Sequence, residues 1–204
     1  TNWTQLGADL IGEAAGDGFG RSVSLSADGN HFAVGASGND GAGSNSGHVR
    51  VYVKSADGAS WVQIGDDIDG EAAGDQSGTS VSISADGNRV AVGARSNDGA
   101  GSDAGKTRVY EFSTGAWTKL GDDIDGEAAG DQFGASVSLS ADGNRVAIGA
   151  VYTTTAQATS RARRGCTNSP PARGRSSAVT STARQRATLS LTDQGVRARR
   201  RRGE

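Results

Sequence analysis

Several sets of side chains in this sequence have the right types for chemistry, and their recurrence along the chain limits what each can do. The acidic loop Asp66-Asp67-Ile68-Asp69-Gly70-Glu71, with Asp75, returns as Asp122 to Glu127 with Asp131. Ca²⁺ takes about six to eight oxygen ligands on a flexible loop, and these carboxylates can supply several. An earlier, thinner version keeps only Asp9, Glu13 and Asp17, and none of the three has the spacing of a known Ca²⁺ loop. The plain reading is a solvated acidic turn. His31 and His48 are the only histidines; their places in other copies are taken by Arg89 and Arg145, and by Lys106. Both read as exposed strand ends, which argues against a catalytic or metal role. Serines are numerous, but none has a repeated His and Asp to act with it. Gly-rich loops such as Asn97-Asp98-Gly99-Ala100-Gly101 lack the Lys and the following helix of a phosphate-binding loop. Trp3, Trp61 and Trp117 could bind a ligand, but one aromatic per repeat at fixed phase indicates core packing. The expectation is no catalytic residue, no metal ligand and no cofactor.

These groups sit on a repeat. Gly126 to Ala150 is matched by Gly70 to Ala94 and, more loosely, by Gly12 to Ala36. Between Trp61–Ala94 and Trp117–Ala150, 27 of 34 positions are identical. A period of about 56–58 residues signals a solenoid, a propeller or another array of one supersecondary unit.

Each copy predicts four short strands. In the first they are Ser22–Ser26, His31–Gly35, His48–Val53 and Trp61–Ile64. The second repeats them as Ser80–Ser84, Arg89–Gly93, Thr107–Phe112 and Trp117–Leu120. Asp28-Gly29, Asp86-Gly87 and Asp142-Gly143 lie between strand-like runs and predict hairpin turns, since both residue types tolerate positive φ. Val23 and Leu25 alternate with serines, and Phe32 and Val34 alternate with Ala33 and Gly35. One face therefore fills volume and the other allows close approach, as a sheet stacked between two neighbours requires. That is the packing of propeller blades. Asp-Gly and Gly pairs interrupt every candidate helix.

Phe19-Gly20, then Val34-Gly35-Ala36, then Gly47-His48-Val49-Arg50-Val51-Tyr52 resemble the FG-GAP repeat of integrin alpha-subunit heads and related surface proteins. The third copy gives Phe133-Gly134 and Ile148-Gly149-Ala150, while the second has Ser77 in place of the Phe. The resemblance covers residues 1–150 and implies all-β propeller blades used mostly for recognition at an extracellular or cell surface. Many integrin-type copies carry an Asp-rich Ca²⁺ loop between the first two strands; Ala27-Asp28-Gly29-Asn30 keeps one carboxylate, so Ca²⁺ dependence is expected to be weak or absent.

The expected fold is an incomplete propeller of about two and a half four-stranded blades, with copies near 3–60, 61–116 and 117–150. The expected role is a non-catalytic recognition, adhesion or scaffold module within a larger protein, meeting a protein or glycan ligand through blade loops. The alternative is a fragment of a propeller enzyme whose catalytic residues lie in other blades. Self-association through open blade faces is a further expectation. No apolar run approaches membrane-spanning length. Met is absent even at position 1, so the chain is expected to begin inside a longer protein.

The net charge of -2 hides two unlike halves. Residues 1–150 carry 9 basic residues against 21 acidic, while 151–204 carry 12 Arg against Asp193 and Glu204. A disordered basic segment that binds nucleic acid is one reading of 151–204. Translation of the next repeat out of frame is a better one, and it predicts no specific nucleic-acid partner. Combining the last base of each codon with the first two of the next, from Arg164 through Thr188, permits Arg108 through Asp131 at every position except that of Asp122. The lone Cys166 then has no selected role. The gene read in the shifted frame should encode WTKLG followed by DGEAAGD. A verified gene without that run would leave the basic segment as the reading.

Overall fold

The computed structural model describes residues 2–152 and the main chain of 188–190. Every regular element among them is a strand, as the alternating pattern predicts, and all strand pairs are antiparallel. The first sheet holds β1 (Phe19–Leu25), β2 (His31–Ala36), β3 (His48–Lys54), β4 (Trp61–Gln63) and β5 (Ile68–Asp69). Its order is β1-β2-β3, with β4 and β5 sharing the outer edge of β3. The second sheet repeats the plan with β6 (Ser77–Ile83), β7 (Arg89–Ala94), β8 (Lys106–Ser113), β9 (Ala116–Lys119) and β10 (Ile124–Asp125). The third begins with β11 (Ser136–Leu139) and β12 (Val146–Ala150).

The sheets stack face to face, and the two faces of each strand do different things. Ser22 and Ser24 point from β1 toward the second sheet: Ser22 Oγ donates to Gly78 O at 2.7 Å, and Ser24 Oγ accepts from Ile83 N at 3.1 Å. Ser80 and Ser82 make the same pair to Gly134 O and Leu139 N, at 2.7 and 2.8 Å. The alternate residues form the apolar face. Val81 and Ile83 are buried beneath Ala33, Val49, Val51 and Ile68 of the first sheet. Val137 and Leu139 pack likewise against Ala91, Val109 and Ile124 of the second. Each such side chain contributes roughly 1.5–3 kcal/mol when fully buried. In the first sheet Val23 and Leu25 stay 67% and 61% exposed, because no sheet lies above them.

Close approach depends on glycine. A bulge in β6 separates the pairs Ser77↔Ala94 and Ser80↔Gly93, and Gly78 within it has φ 79°. The bulge pushes the Gly78 carbonyl against Gly35 of the sheet above, where any Cβ would collide with it. Gly134 and Gly93 meet in the same way.

Two expectations change in detail. The Asp-Gly hairpins are five-residue loops in which only the Gly takes positive φ, 69° at Gly29, while Ser26 N bonds His31 O. Asp28 instead accepts hydrogen bonds from Ser26 Oγ, Asn30 N and Asn30 Nδ2, which hold its carboxyl down at about 2. Trp3 is fully exposed rather than packed, and the described residues 2–18 hold no strand. Trp117 shows the packed state: it lies against Phe112 and donates from Nε1 to Ile64 O of the preceding copy at 2.9 Å.

Of the expected disordered segment 151–204, residues 153–187 and 191–204 lie outside the described residues, but Thr188–Ser190 forms a strand, β13, against β12. Its pairing Ala150↔Thr188 matches Ala36↔His48 and Ala94↔Lys106, so it takes the third-strand place of its sheet. The unpaired edge of β12 offers a row of main-chain donors and acceptors that such a segment satisfies.

Gly93→Ala should cost about 2 kcal/mol or more, because its methyl group meets the fixed Gly134 carbonyl. Gly149→Ala should cost under about 1 kcal/mol, since its nearest obstacle is the Ser136 hydroxyl. Urea unfolding of the two variants measures the difference, and equal costs would refute the close-approach account.

Candidate functional site

The period-two alternation of β3 puts His48, Arg50 and Tyr52 on one face, and that of β8 does the same for Lys106, Arg108 and Tyr110. The acidic loop wraps over this face, and the structure divides it between two sheets. Asp67 and Asp69 belong with β3, because Ile68–Asp69 pairs with His48–Val49. Glu71 crosses to the next sheet and meets Lys106 and Arg108. Asp67, Asp69 and Glu71, which look like one ligand set along the chain, lie in two separate clusters.

In the first cluster Arg50 forms a fork on Asp67, with Nε 3.0 Å from both carboxylate oxygens and a second nitrogen 2.9 Å from Oδ2. The same guanidinium pairs with Glu13. Gln63 Nε2 donates to Asp67 Oδ1 at 2.7 Å. Burial pushes the Asp67 carboxyl up, but these hydrogen bonds outweigh it and hold it below the ordinary range. Asp69 goes the other way, raised by burial and by the neighbouring Asp67 charge. His48 is buried rather than on an exposed strand end, with Nδ1 3.5 Å from Asp67 Oδ2. One ligand atom each from Glu13, His48 and Asp67 lie within 4.8 Å of one another.

The second cluster has the same carboxylates and more cations. Asp123 accepts from Arg108 Nε at 3.0 Å, Lys106 Nζ at 2.9 Å and Lys119 Nζ at 2.7 Å. Lys106 Nζ also lies 3.4 Å from Glu71 and 3.5 Å from Asp125. The Arg108 hydrogen bond, with those of the two lysines, holds the Asp123 carboxyl far below its usual range. Burial alone would lower Lys106, but the Asp123 contact raises it.

The remaining sequence candidates are structural. Asp17, Asp75 and Asp131 are buried, and each accepts the main-chain N–H three residues earlier. Asp17 and Asp75 also accept from Asn39 and Asn97, which ties the acidic loop to the glycine-rich one. The Asp28 oxygens are committed to the turn, so the residues at this hairpin do not fit a Ca²⁺ cage. His31 is half-buried against the Asp86-Gly87 turn, and its counterpart Arg89 likewise reaches Gly143 O of the Asp142-Gly143 turn. Each Gly-rich loop bonds the acidic loop that follows it along one edge: Gly74 N bonds Ser44 O and Gly130 N bonds Ser102 O, both at 2.8 Å. Each contact holds a pair of non-glycine residues at positive φ, Asn45 with Gln76 and Asp103 with Gln132.

Asp123→Asn strips three cations of a shared partner, two of them on side chains only 10% and 11% exposed. The cost should be about 3 kcal/mol, the low end for breaking a buried pair, because Asp123 keeps 21% exposure. Its folded-state pKa is depressed, so this stability is complete above the unfolded value near pH 4 and is lost as pH falls below it. Denaturation curves of wild type and variant should therefore converge in acid. A gap that does not narrow at all between about pH 5 and pH 2 would refute the assignment.

No curated protein matches this chain. Among solved structures it is similar to Kuenenia stuttgartiensis hydrazine synthase at 14% identity and TM-score 0.40, over 66% of this chain and 30% of that one. The Pseudomonas aeruginosa periplasmic gluconolactonase PpgL gives 16% identity and TM-score 0.40, over 64% and 36%. A putative 6-phosphogluconolactonase from Bacteroides uniformis gives 15% and 0.40, over 68% and 38%. The chain thus spans between 30% and 38% of the length of these proteins. The family model of the FG-GAP repeat matches residues 12–52, which run from the Glu13 loop through Tyr52 of β3, so the chain carries an FG-GAP repeat there.

Proposed function

We propose that the chain is part of a non-catalytic recognition or scaffold module of a larger FG-GAP repeat protein, with its stacked sheets as successive blades of a β-propeller. The observation that carries this reading is the repetition of one stacking operation. Ser22 with Gly35 on Gly78 recurs as Ser80 with Gly93 on Gly134, with the same hydrogen-bond length of 2.7 Å. Units that add by one repeated rotation close into a ring when the rotation permits.

The loops Asp40–Gly47 and Asp98–Gly105, each bonded to the acidic loop that follows it, then recur along one rim. Their tips carry exposed Ser44 and Ser102, suited to a protein or glycan ligand met outside the cell or at its surface. The repeated serines support binding over catalysis. Ser26, Ser84 and Ser140 donate to Asp28, Asp86 and Asp142 and close turns.

Arrays of glycans and of extracellular proteins, probed with the whole chain, should give a saturable partner. Ser44→Arg with Ser102→Arg should weaken that binding about tenfold or more, by placing two bulky charges on the rim. Thr118→Arg, on an exposed outer strand, should leave it unchanged. Loss on the outer strand and not on the loops would refute the rim assignment.

A further inference from the structure

We propose that Glu13, His48 and Asp67 form a site for one divalent transition-metal ion of the Zn²⁺ type, which stands in the first sheet where lysine ammonium groups stand in the second. The case begins with a charge comparison between two copies of one cage. In the second, three carboxylates, Glu71, Asp123 and Asp125, face three cations, Lys106, Arg108 and Lys119. In the first, Glu13, Asp67 and Asp69 are retained, but His48 replaces the lysine at 106 and Gln63 the lysine at 119. Among the described residues, Arg50 is the one full cation left facing them. Two positive charges are missing, and a divalent ion supplies two.

The geometry of His48 supports the same conclusion. Its side chain is only 2% exposed, its Nδ1 faces Asp67 Oδ2 at 3.5 Å, and its Nε2 has no hydrogen-bond partner. The 3.5 Å separation is too long for a good hydrogen bond, so Nδ1 is left to take an ion lying between it and Asp67. Three ligands about 2.1 Å from a tetrahedral ion lie about 3.4 Å apart, so the 4.8 Å limit closes with a small rotation of the half-exposed Glu13. Arg50 and Gln63 donate to the oxygens of the Asp67 carboxylate and would orient it as outer-shell partners do. Glu13, though not His48 or Asp67, also lines an open polar cleft of ≈ 370 Å³ with Asp17, Asn39, Asp40 and Asn45, so the Glu13 side of the site faces solvent. One imidazole with two carboxylates suits Zn²⁺ and its first-row neighbours better than Ca²⁺ or Mg²⁺.

The test is calorimetric titration of the whole chain with Zn²⁺ alone, in a Cys166→Ser background so that no thiol competes. Wild type should take up one equivalent and gain thermal stability. His48→Lys copies the second sheet, where a lysine demonstrably fits. It should fold, melt at or above the wild-type temperature without metal, and bind Zn²⁺ about tenfold more weakly or worse. Gln63→Lys, outside the ligand set, should weaken uptake about tenfold, whereas His31→Ala should not change it. Co²⁺ in place of Zn²⁺ should give a visible spectrum of nitrogen and oxygen ligation that His48→Lys abolishes. The proposal is overturned if folded wild type takes up no Zn²⁺. It is equally overturned if His48→Lys binds as well as wild type, or if uptake depends on His31.

Discussion

Two glycines meeting back to back across neighbouring sheets set the geometry of everything else in this chain. A Cβ on Gly78 would lie 3.1 Å from Gly35 Cα, so each residue must be glycine for the other to come so near. Gly78 must also take φ 79° to form the bulge that delivers its carbonyl. Once that contact is made, the Ser22 hydroxyl finds the Gly78 carbonyl within reach, and the next serine along, Ser24, accepts from Ile83 N. Those two bonds fix the lateral register of sheet on sheet. Register in turn decides that Val81 and Ile83, rather than the serines beside them, fill the space under Ala33 and Val51. A one-residue slip would exchange the two sets and bury hydroxyls without partners.

The charged clusters are the second tier of the same design. They sit on the outer half of each sheet, where β3 and β8 turn their Arg and Tyr face toward the incoming acidic loop. Partly buried ion pairs add little to stability against an apolar replacement, but breaking one is expensive. Their effect is therefore to specify which loop lies over which strand. The separation of Glu71 from Asp67 follows directly. Each sheet draws one carboxylate from the loop that enters it and others from the loop that leaves it.

Much of the fold was legible because the strands announce it twice, by alternation and by repetition. The large and small faces of Ser22–Leu25 and Phe32–Gly35 translate directly into the apolar and close-approach faces of the stack. The short strands β5 and β10 were not legible, since Ile68–Asp69 and Ile124–Asp125 offer a single apolar residue each, inside an acidic run. The clusters were missed for a related reason. Acids were grouped along the chain, whereas Arg50 reaches Asp67 and Glu13 across 17 and 37 residues. Phase within β3 was the signal that could have found them, because His48 and Arg50 share the face that also carries Tyr52. Exposure of His48 was misjudged because it stands at a strand end in sequence. In space that end is roofed by Asp67 and Asp69.

The asymmetry of the sheet faces also restricts how such units combine. The lower face of each offers serine hydroxyls and glycine, as Ser136 and Gly149 do in the third sheet, where the three atoms nearest to a Cβ placed on Gly149 all belong to Ser136. The upper face offers Val and Leu, as Val23 and Leu25 do in the first. Neither face complements itself: two glycine faces brought together would leave a gap, and two Val/Leu faces would leave serine hydroxyls unpaired on their far sides. The low-cost contact is lower face on upper face, which is heterologous and repeats in one direction. Two copies of the chain joined through these faces would therefore stack head to tail, not about a two-fold axis. The same restriction explains why Val23 can be 67% exposed while its counterpart Val81 is buried to 7%: the difference lies in the neighbour, not in the strand.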